Sequence, residues 1–317
     1  LSRAWKPWAS LAAAGFPAWQ VERLFLAGIV DVGRGRFRIP RRARIYFEEQ
    51  FPERAAERPF GTLLSAPLPR VLWLGLPYTN LVRLAHSTAV GLADILAAAS
   101  PETIPVIGVL PDDAPSMRGH EDIEGLVDLA AELDLRLGII GGDHRATWSM
   151  LRTVKSALPG QAVQYVHVDA HHDLYGYRSD CPPDHINHAS FLADLLQRGC
   201  IDRAVLIGRR DGDEPLRAAL DDGLPIHCTA TDEAWRPADW SDDAYTDLAV
   251  DLDVLDARLA PAVSSPIGEG WTLDALLHKL AKIMSEARIH SCSVVEAGGG
   301  SPATTKAALE VIELLGT

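Results

Sequence analysis

The chain has 317 residues, 47% of them hydrophobic and 23% charged, with a formal net charge of −13. This is enough for one large α/β core without a second full domain, and the acidic balance lacks the positive footprint of a general nucleic-acid binder. No uninterrupted apolar stretch reaches membrane-spanning length and Leu1 to Trp8 carries no signal-peptide pattern, so a cytoplasmic protein with neither membrane nor nucleic acid as partner is expected.

Residues 1–69 read as an N-terminal extension. They contain Trp5, Trp8 and Trp19, a short helix over Ala18 to Ala27, and prolines at 52, 59, 67 and 69. Six arginines lie between Arg34 and Arg44. Such a run reads as a solvated loop or a self-association surface, and a homo-oligomer is expected.

From Arg70 onward, strands and helices alternate. The pattern predicts a strand over Val71 to Leu74, a helix over Thr88 to Ala99, a strand over Val106 to Leu110 and a helix over Glu121 to Leu133. A strand over Leu137 to Ile140 leads to a helix over Ala146 to Ala157, and a strand over Val163 to Val168 to a helix over Ala189 to Gln197. Next come the strand Ala204 to Gly208, a helix near Glu214 to Leu220 and the strand Leu248 to Val250. The helix Thr272 to Arg288, the strand Ser291 to Glu296 and the helix Ala303 to Leu315 complete the reading. Alternation of this kind implies a parallel sheet with helices on both faces.

Three segments carry chemistry: Gly141 to His144, Asp169 to Asp173, and Asp251 to Asp253. They offer six candidate metal ligands, His144, Asp169, His171, Asp173, Asp251 and Asp253, enough for two cations. Each segment follows an apolar run that reads as a buried strand, which places the ligands at the carboxyl edge of the sheet, where α/β crevices form. In an extended chain, residues spaced i, i+2, i+4 project from one side, as Asp169, His171 and Asp173 would. Carboxylates with some imidazole suit manganese, whereas closed zinc sites favour cysteine and histidine. The four cysteines, Cys181, Cys200, Cys228 and Cys292, are scattered without the paired spacing of a thiolate site or a disulfide framework.

The run Gly141-Gly142-Asp143-His144, the run Asp169-Ala170-His171-His172-Asp173, and Val250 to Asp256 with Pro261 and Gly268 beyond it resemble the three signatures of the ureohydrolases, the arginase and agmatinase family. Supporting stretches are Gly75-Leu76-Pro77, Ile207 to Asp211 and Val294-Val295-Glu296. The resemblance runs from Val71 to the last residue. It implies a three-layer α/β/α arginase-like fold with a parallel sheet of about eight strands, and residues 70–317 as the catalytic domain. It also implies a binuclear manganese enzyme that hydrolyses a guanidino group to an amine and urea. One ion would be held by His144, Asp169, Asp173 and Asp251, and the other by His171, Asp169, Asp251 and Asp253.

By the same resemblance Glu296 holds the guanidinium, and His188 is the proton shuttle, with His185 as its competitor. Asp173 is an additional proton acceptor, and Asp213 matches an aspartate that faces the substrate amino group. Arg178 is a candidate carboxylate binder, because its guanidinium can grip one bidentately. His172 reads as a substrate-facing or supporting residue. His167, on the same side of its strand as Asp169 but deeper, reads as structural. The loop Leu174 to Asn187 lacks the asparagine and serine pattern of a true arginase. The expected substrate is therefore an arginine-derived, agmatine-like or peptide-bound guanidino compound. Two alternatives stay open. One is a non-catalytic member of the fold that binds metal or a partner. The other is a deacetylase of the same fold acting on an acylated amine, whose single-zinc site Asp173 and Asp253 count against.

Overall fold

In the computed structural model of the protein the described residues are 70–78, 87–99, 104, 106–109, 127, 130, 135–177, 186–229 and 243–317, with short stretches at 6–7, 31–33 and 36–38. The predicted helix at 18–27, Trp5, Trp8 and Trp19, the prolines at 52, 59, 67 and 69, His185 and Arg178 lie outside them. In the extension, β1 (Lys6–Pro7), β2 (Asp31–Gly33) and β3 (Arg36–Arg38) form an antiparallel sheet in the order β1-β3-β2. Among the described residues no helix is long and apolar enough to cross a membrane.

The main sheet has eight strands, all parallel to their neighbours. They are β4 (Val71–Leu76), β5 (Val106–Val109), β6 (Arg136–Gly141), β7 (Val163–Val168), β8 (Arg203–Ile207), β9 (Ile226–Cys228), β10 (Tyr245–Asp251) and β11 (Ser291–Val295). Their spatial order is β5-β4-β6-β11-β10-β7-β8-β9. Seven agree with the apolar runs read from the sequence. The eighth, β9, has only three residues at the sheet edge, too few to show a period. Of the helix predicted over 121–133, Val127 and Ala130 are described, and both are helical and buried.

Period-two alternation sends neighbouring residues to opposite cores. Val71, Trp73, Val166, Val168, Leu248, Val250, Cys292 and Val294 pack against α1 (Thr88–Ala98), α5 (Leu273–Glu286) and α6 (Pro302–Leu315). Leu72, Leu74, Tyr165, Ala249 and Val295 face the other layer, α2 (Arg145–Ala157), α3 (Phe191–Gln197) and α4 (Glu214–Asp221). Both cores are buried from solvent, giving the three-layer α/β/α arrangement. Thr272 and Ser301 cap the last two long helices through their hydroxyls, which accept the amide hydrogens of Ala275 and Thr304.

One buried carboxylate lies in this sheet away from the edge that carries the motifs. Asp247 on β10 accepts a hydrogen bond from the Ser291 hydroxyl, and its Oδ2 has no partner. Burial pushes its carboxyl up to about 7, against 3.8 in an exposed aspartate. The native state therefore keeps a proton that the unfolded chain loses. The penalty is absent below pH 4, grows between pH 4 and 7, and is complete above 7. Asp247→Asn is expected to gain stability over the parent as pH rises, by up to about 4 kcal/mol at pH 8. Urea unfolding at pH 4.5 and 8 checks this, and a mutant-minus-parent difference independent of pH would refute it.

Candidate metal centre

Sheet order assembles the site. The four central neighbours β6, β11, β10 and β7 end in His144, Glu296, Asp251 and Asp169 respectively or lead directly to them. Residues more than 150 positions apart in sequence thus meet at one edge, as in the hydrogen bond from the His144 amide to Glu296 Oε1, 3.2 Å. Gly142 is required where the chain leading to His144 passes Tyr78 beyond the end of β4. A Cβ there would stand 1.7 Å from the Tyr78 carbonyl oxygen.

The extended spacing expected for the ligands stops where the strands stop. Asp173 has φ 49°, and Asp253 lies in the 3-10 turn Leu252–Val254. Local turns take over, in which an aspartate accepts the amide hydrogen two residues on: His171 to Asp169 Oδ1 at 2.6 Å, and Asp253 to Asp251 Oδ1 at 2.8 Å. Asp143 does the same for Arg145 at 3.0 Å and also pairs with its guanidinium. Positive φ at Asp173 and at Glu296 (64°) costs about 1–3 kcal/mol each in residues with a Cβ.

All six candidate ligands converge. His144 Nδ1 stands 3.3 Å from Asp169 Oδ2, 3.2 Å from Asp173 Oδ2 and 3.2 Å from Asp251 Oδ2. His171 Nδ1 stands 3.3 Å from Asp169 Oδ1 and 2.8 Å from Asp253 Oδ2. Asp169 therefore turns one oxygen to each half. Adjacent donor atoms around an octahedral divalent ion stand roughly 3 Å apart, so the His144 cluster has the spacing such an ion needs. All six candidate ligands but the partly exposed His171 are buried, and Glu296 Oε2 and His144 Nε2 have no hydrogen-bond partner among the described residues. Among the described residues these buried carboxylates form ion pairs with histidines and with no lysine or arginine, an arrangement that fits divalent cations.

The electrostatics follow from crowding. Burial, reinforced by Asp169, holds Asp173 well above the carboxylate range and Asp253 at about 6. Burial with Asp253 raises Asp251, and burial with Asp143 raises Glu296. Asp169 goes the other way, because its attraction to the neighbouring imidazoles of His167, His171 and His144 outweighs its burial. Hydrogen bonds with Asp169 and Asp253 likewise outweigh burial at His171 and push it up to about 11.

These groups open into a cavity of about 230 Å³ whose wall also includes Tyr175, His188 and Ser265. Burial lowers the His188 imidazole pKa. Asp213 is not on the cavity wall; it is exposed at the start of α4 and pairs with Arg209 at 2.7 Å. His172 is tied down beside the centre, its Nδ1 accepting the Leu174 amide hydrogen and its Nε2 3.3 Å from Asp211. His167, read from the sequence as structural, has its Nε2 3.1 Å from Asp169 Oδ2. Its parity with Asp169 places it under the centre, and the contact with the carboxylate is what the structure adds.

A model of the Arginase family matches residues 83–313. The chain belongs to the arginase family. Among its relatives, a mitochondrial arginase of Medicago truncatula is 30% identical over 160 residues, covering 48% of this chain and 46% of that protein. An agmatinase of Chromobacterium violaceum is 28% identical over 160 residues, covering 49% and 48%. A formimidoylglutamase of Klebsiella pneumoniae is 26% identical over 189 residues, covering 56% and 58%. The chain thus spans about half the length of the curated relatives it matches. The solved arginase from Medicago truncatula superposes with a TM-score of 0.62 at 21% identity, over 86% of this chain and 94% of that one, a likeness of fold.

Proposed function

We propose that the protein is a binuclear manganese amidinohydrolase that converts an alkyl guanidinium and water into an alkylammonium and urea, with residues 70–317 as its catalytic domain. The observation that carries this reading is Asp169, whose Oδ2 faces His144, Asp173 and Asp251 while Oδ1 faces His171. His144, Asp169, Asp173 and Asp251 would hold one ion, and His171, Asp169, Asp251 and Asp253 the other. When bound, two such ions make water acidic enough to lose a proton near neutral pH.

The chain's own groups do the rest. Asp173, at the cavity wall, is the acceptor for the water proton. Glu296 keeps Oε1 on the His144 amide and has Oε2 free of protein partners, so Oε2 accepts guanidinium N–H groups and aligns the carbon for attack. His188 delivers a proton to the departing nitrogen, because an amine leaves far more readily when protonated. With Asp213 paired to Arg209, an arginine-derived, agmatine-like or peptide-bound guanidine is a better candidate than free arginine.

The test is a screen of manganese-loaded protein on arginine, agmatine, guanidinobutyrate, guanidinopropionate and arginine-containing peptides, with urea as readout. A formimidoyl amino acid belongs in the panel, since it would release formamide instead. One zinc per chain with no urea from any guanidine would sink the proposal. On the best substrate, His188→Ala is expected to lower kcat by about 100- to 10,000-fold, the range for general acid-base catalysis. Its metal content should stay unchanged. Full turnover in that variant would remove His188 from the mechanism.

A further inference from the structure

Beneath the shared carboxylate runs a buried pair that neither the motifs nor the proposed chemistry uses. Tyr165 and His167 lie on β7 two residues apart, on the same face as Asp169, and neither is exposed. The Tyr165 hydroxyl is 2.8 Å from His167 Nδ1. At the other end of the ring, His167 Nε2 stands 3.1 Å from Asp169 Oδ2 and 3.8 Å from Asp173 Oδ2. His167 Nε2 and Asp169 Oδ2 are close without an aligned hydrogen bond between them, and neither has another hydrogen-bond partner among the described residues.

The surroundings leave this histidine few alternatives. Across the sheet it is level with Ala249 on β10, which is in turn level with Ser293 on β11, small residues that leave room for a ring. Phe191 closes the space from α3, with ring centroids 5.9 Å from His167 and 4.7 Å from His144. A buried phenol needs a hydrogen-bond partner, and Nδ1 is the acceptor at hand. If Tyr165 donates to Nδ1, a neutral ring carries its hydrogen on Nε2, facing the two carboxylates. The opposite tautomer would set a lone pair against a carboxylate oxygen at 3.1 Å, which is repulsive.

We infer that His167, held in one tautomer by Tyr165, is a positioning residue that donates its Nε2 hydrogen to the Asp169 and Asp173 carboxylates. It thereby sets which oxygen of Asp169 faces each half of the centre. This rests on the metal-centre reading above and assigns His167 no contact with substrate. Ligating carboxylates depend on such outer partners for orientation and basicity, and losing one typically costs 10- to 100-fold in metal affinity.

Three variants of the full chain test it. His167→Leu fills the space without a donor, His167→Gln restores an N–H near the Nε2 position, and Tyr165→Phe removes only the hydroxyl. The readouts are 15N-histidine spectra of ion-free protein, manganese affinity by titration, and circular dichroism. The expected result is an Nε2-protonated His167 in the parent, with manganese bound about 10- to 100-fold more weakly by His167→Leu. His167→Gln should recover most of that loss, and Tyr165→Phe should show a mixed tautomer with intermediate affinity. An Nδ1-protonated ring, parental affinity in His167→Leu, or equal losses in the Leu and Gln variants would overturn the inference. So would pulsed EPR evidence that His167 nitrogen coordinates manganese directly. If His167→Leu does not fold, Tyr165→Phe decides, and an unchanged tautomer and affinity there overturn it. A parent protein that binds no divalent ion would instead overturn the proposed function, while the tautomer still decides the Tyr165–His167 arrangement.

Discussion

Asp253→Ala is expected to release one of two manganese ions and to reduce urea formation by more than about 100-fold, beyond what loss of a supporting residue costs. Its Oδ2 is 2.8 Å from His171 Nδ1, and its Oδ1 accepts the Ala170 amide hydrogen at 3.2 Å. Removing it leaves His171, Asp169 and Asp251 for that ion, one ligand fewer than the proposed set. The His144 half, with Asp169, Asp173 and Asp251, stays intact. Metal analysis should therefore fall from two ions per chain toward one. The ion-free variant should be at least as stable as the parent, because burial and Asp169 already hold the Asp253 carboxyl at about 6 and its loss relieves that crowding. A variant that keeps both ions and its turnover would show that Asp253 is not a ligand.

Glu296→Gln tests a different part of the site and should leave both ions in place. The Gln carbonyl oxygen can still accept the His144 amide hydrogen, so the join between β11 and the His144 turn persists. The variant loses a charged acceptor for the guanidinium. Hydrogen bonds to charged groups contribute about 1.5–3 kcal/mol each, so kcat/KM should fall about 10- to 100-fold per bond lost. The ion-free protein should become more stable at neutral pH, since burial and Asp143 hold the Glu296 carboxyl well above its usual range. Raising pH through that range costs the parent stability and leaves the Gln variant unaffected. Parental kcat/KM in Glu296→Gln would assign the holding of the guanidinium to another group.

Local sequence was a good guide wherever the period was long enough to read. The run Val163 to Val168 is a strand with those bounds, and the helix read over Ala146 to Ala157 differs from the observed one by a single residue. The meeting of the six candidate ligands at one edge was legible for the same reason: a motif at the end of an apolar run is carried to the sheet edge by the strand before it. Alternation served less well past the strand end. It places Asp173 and Asp253 on one side of an extended chain, yet Asp173 has positive φ and Asp253 sits in a 3-10 turn. Aspartate side chains accepting backbone amides bend the chain at those points, and such turns leave no period.

The sequence by itself determined which residues are apolar, where the strands run, and which side chains reach the carboxyl edge, because these depend on contacts a few residues apart. The tertiary structure decided three further things. It inserted β11 between β6 and β10, so that Glu296 meets His144. It paired Asp213 with Arg209 away from the cavity. It packed the Tyr165–His167 pair under Asp169. Each of these depends on strand order, side-chain pairing or packing in three dimensions, which local periodicity does not encode.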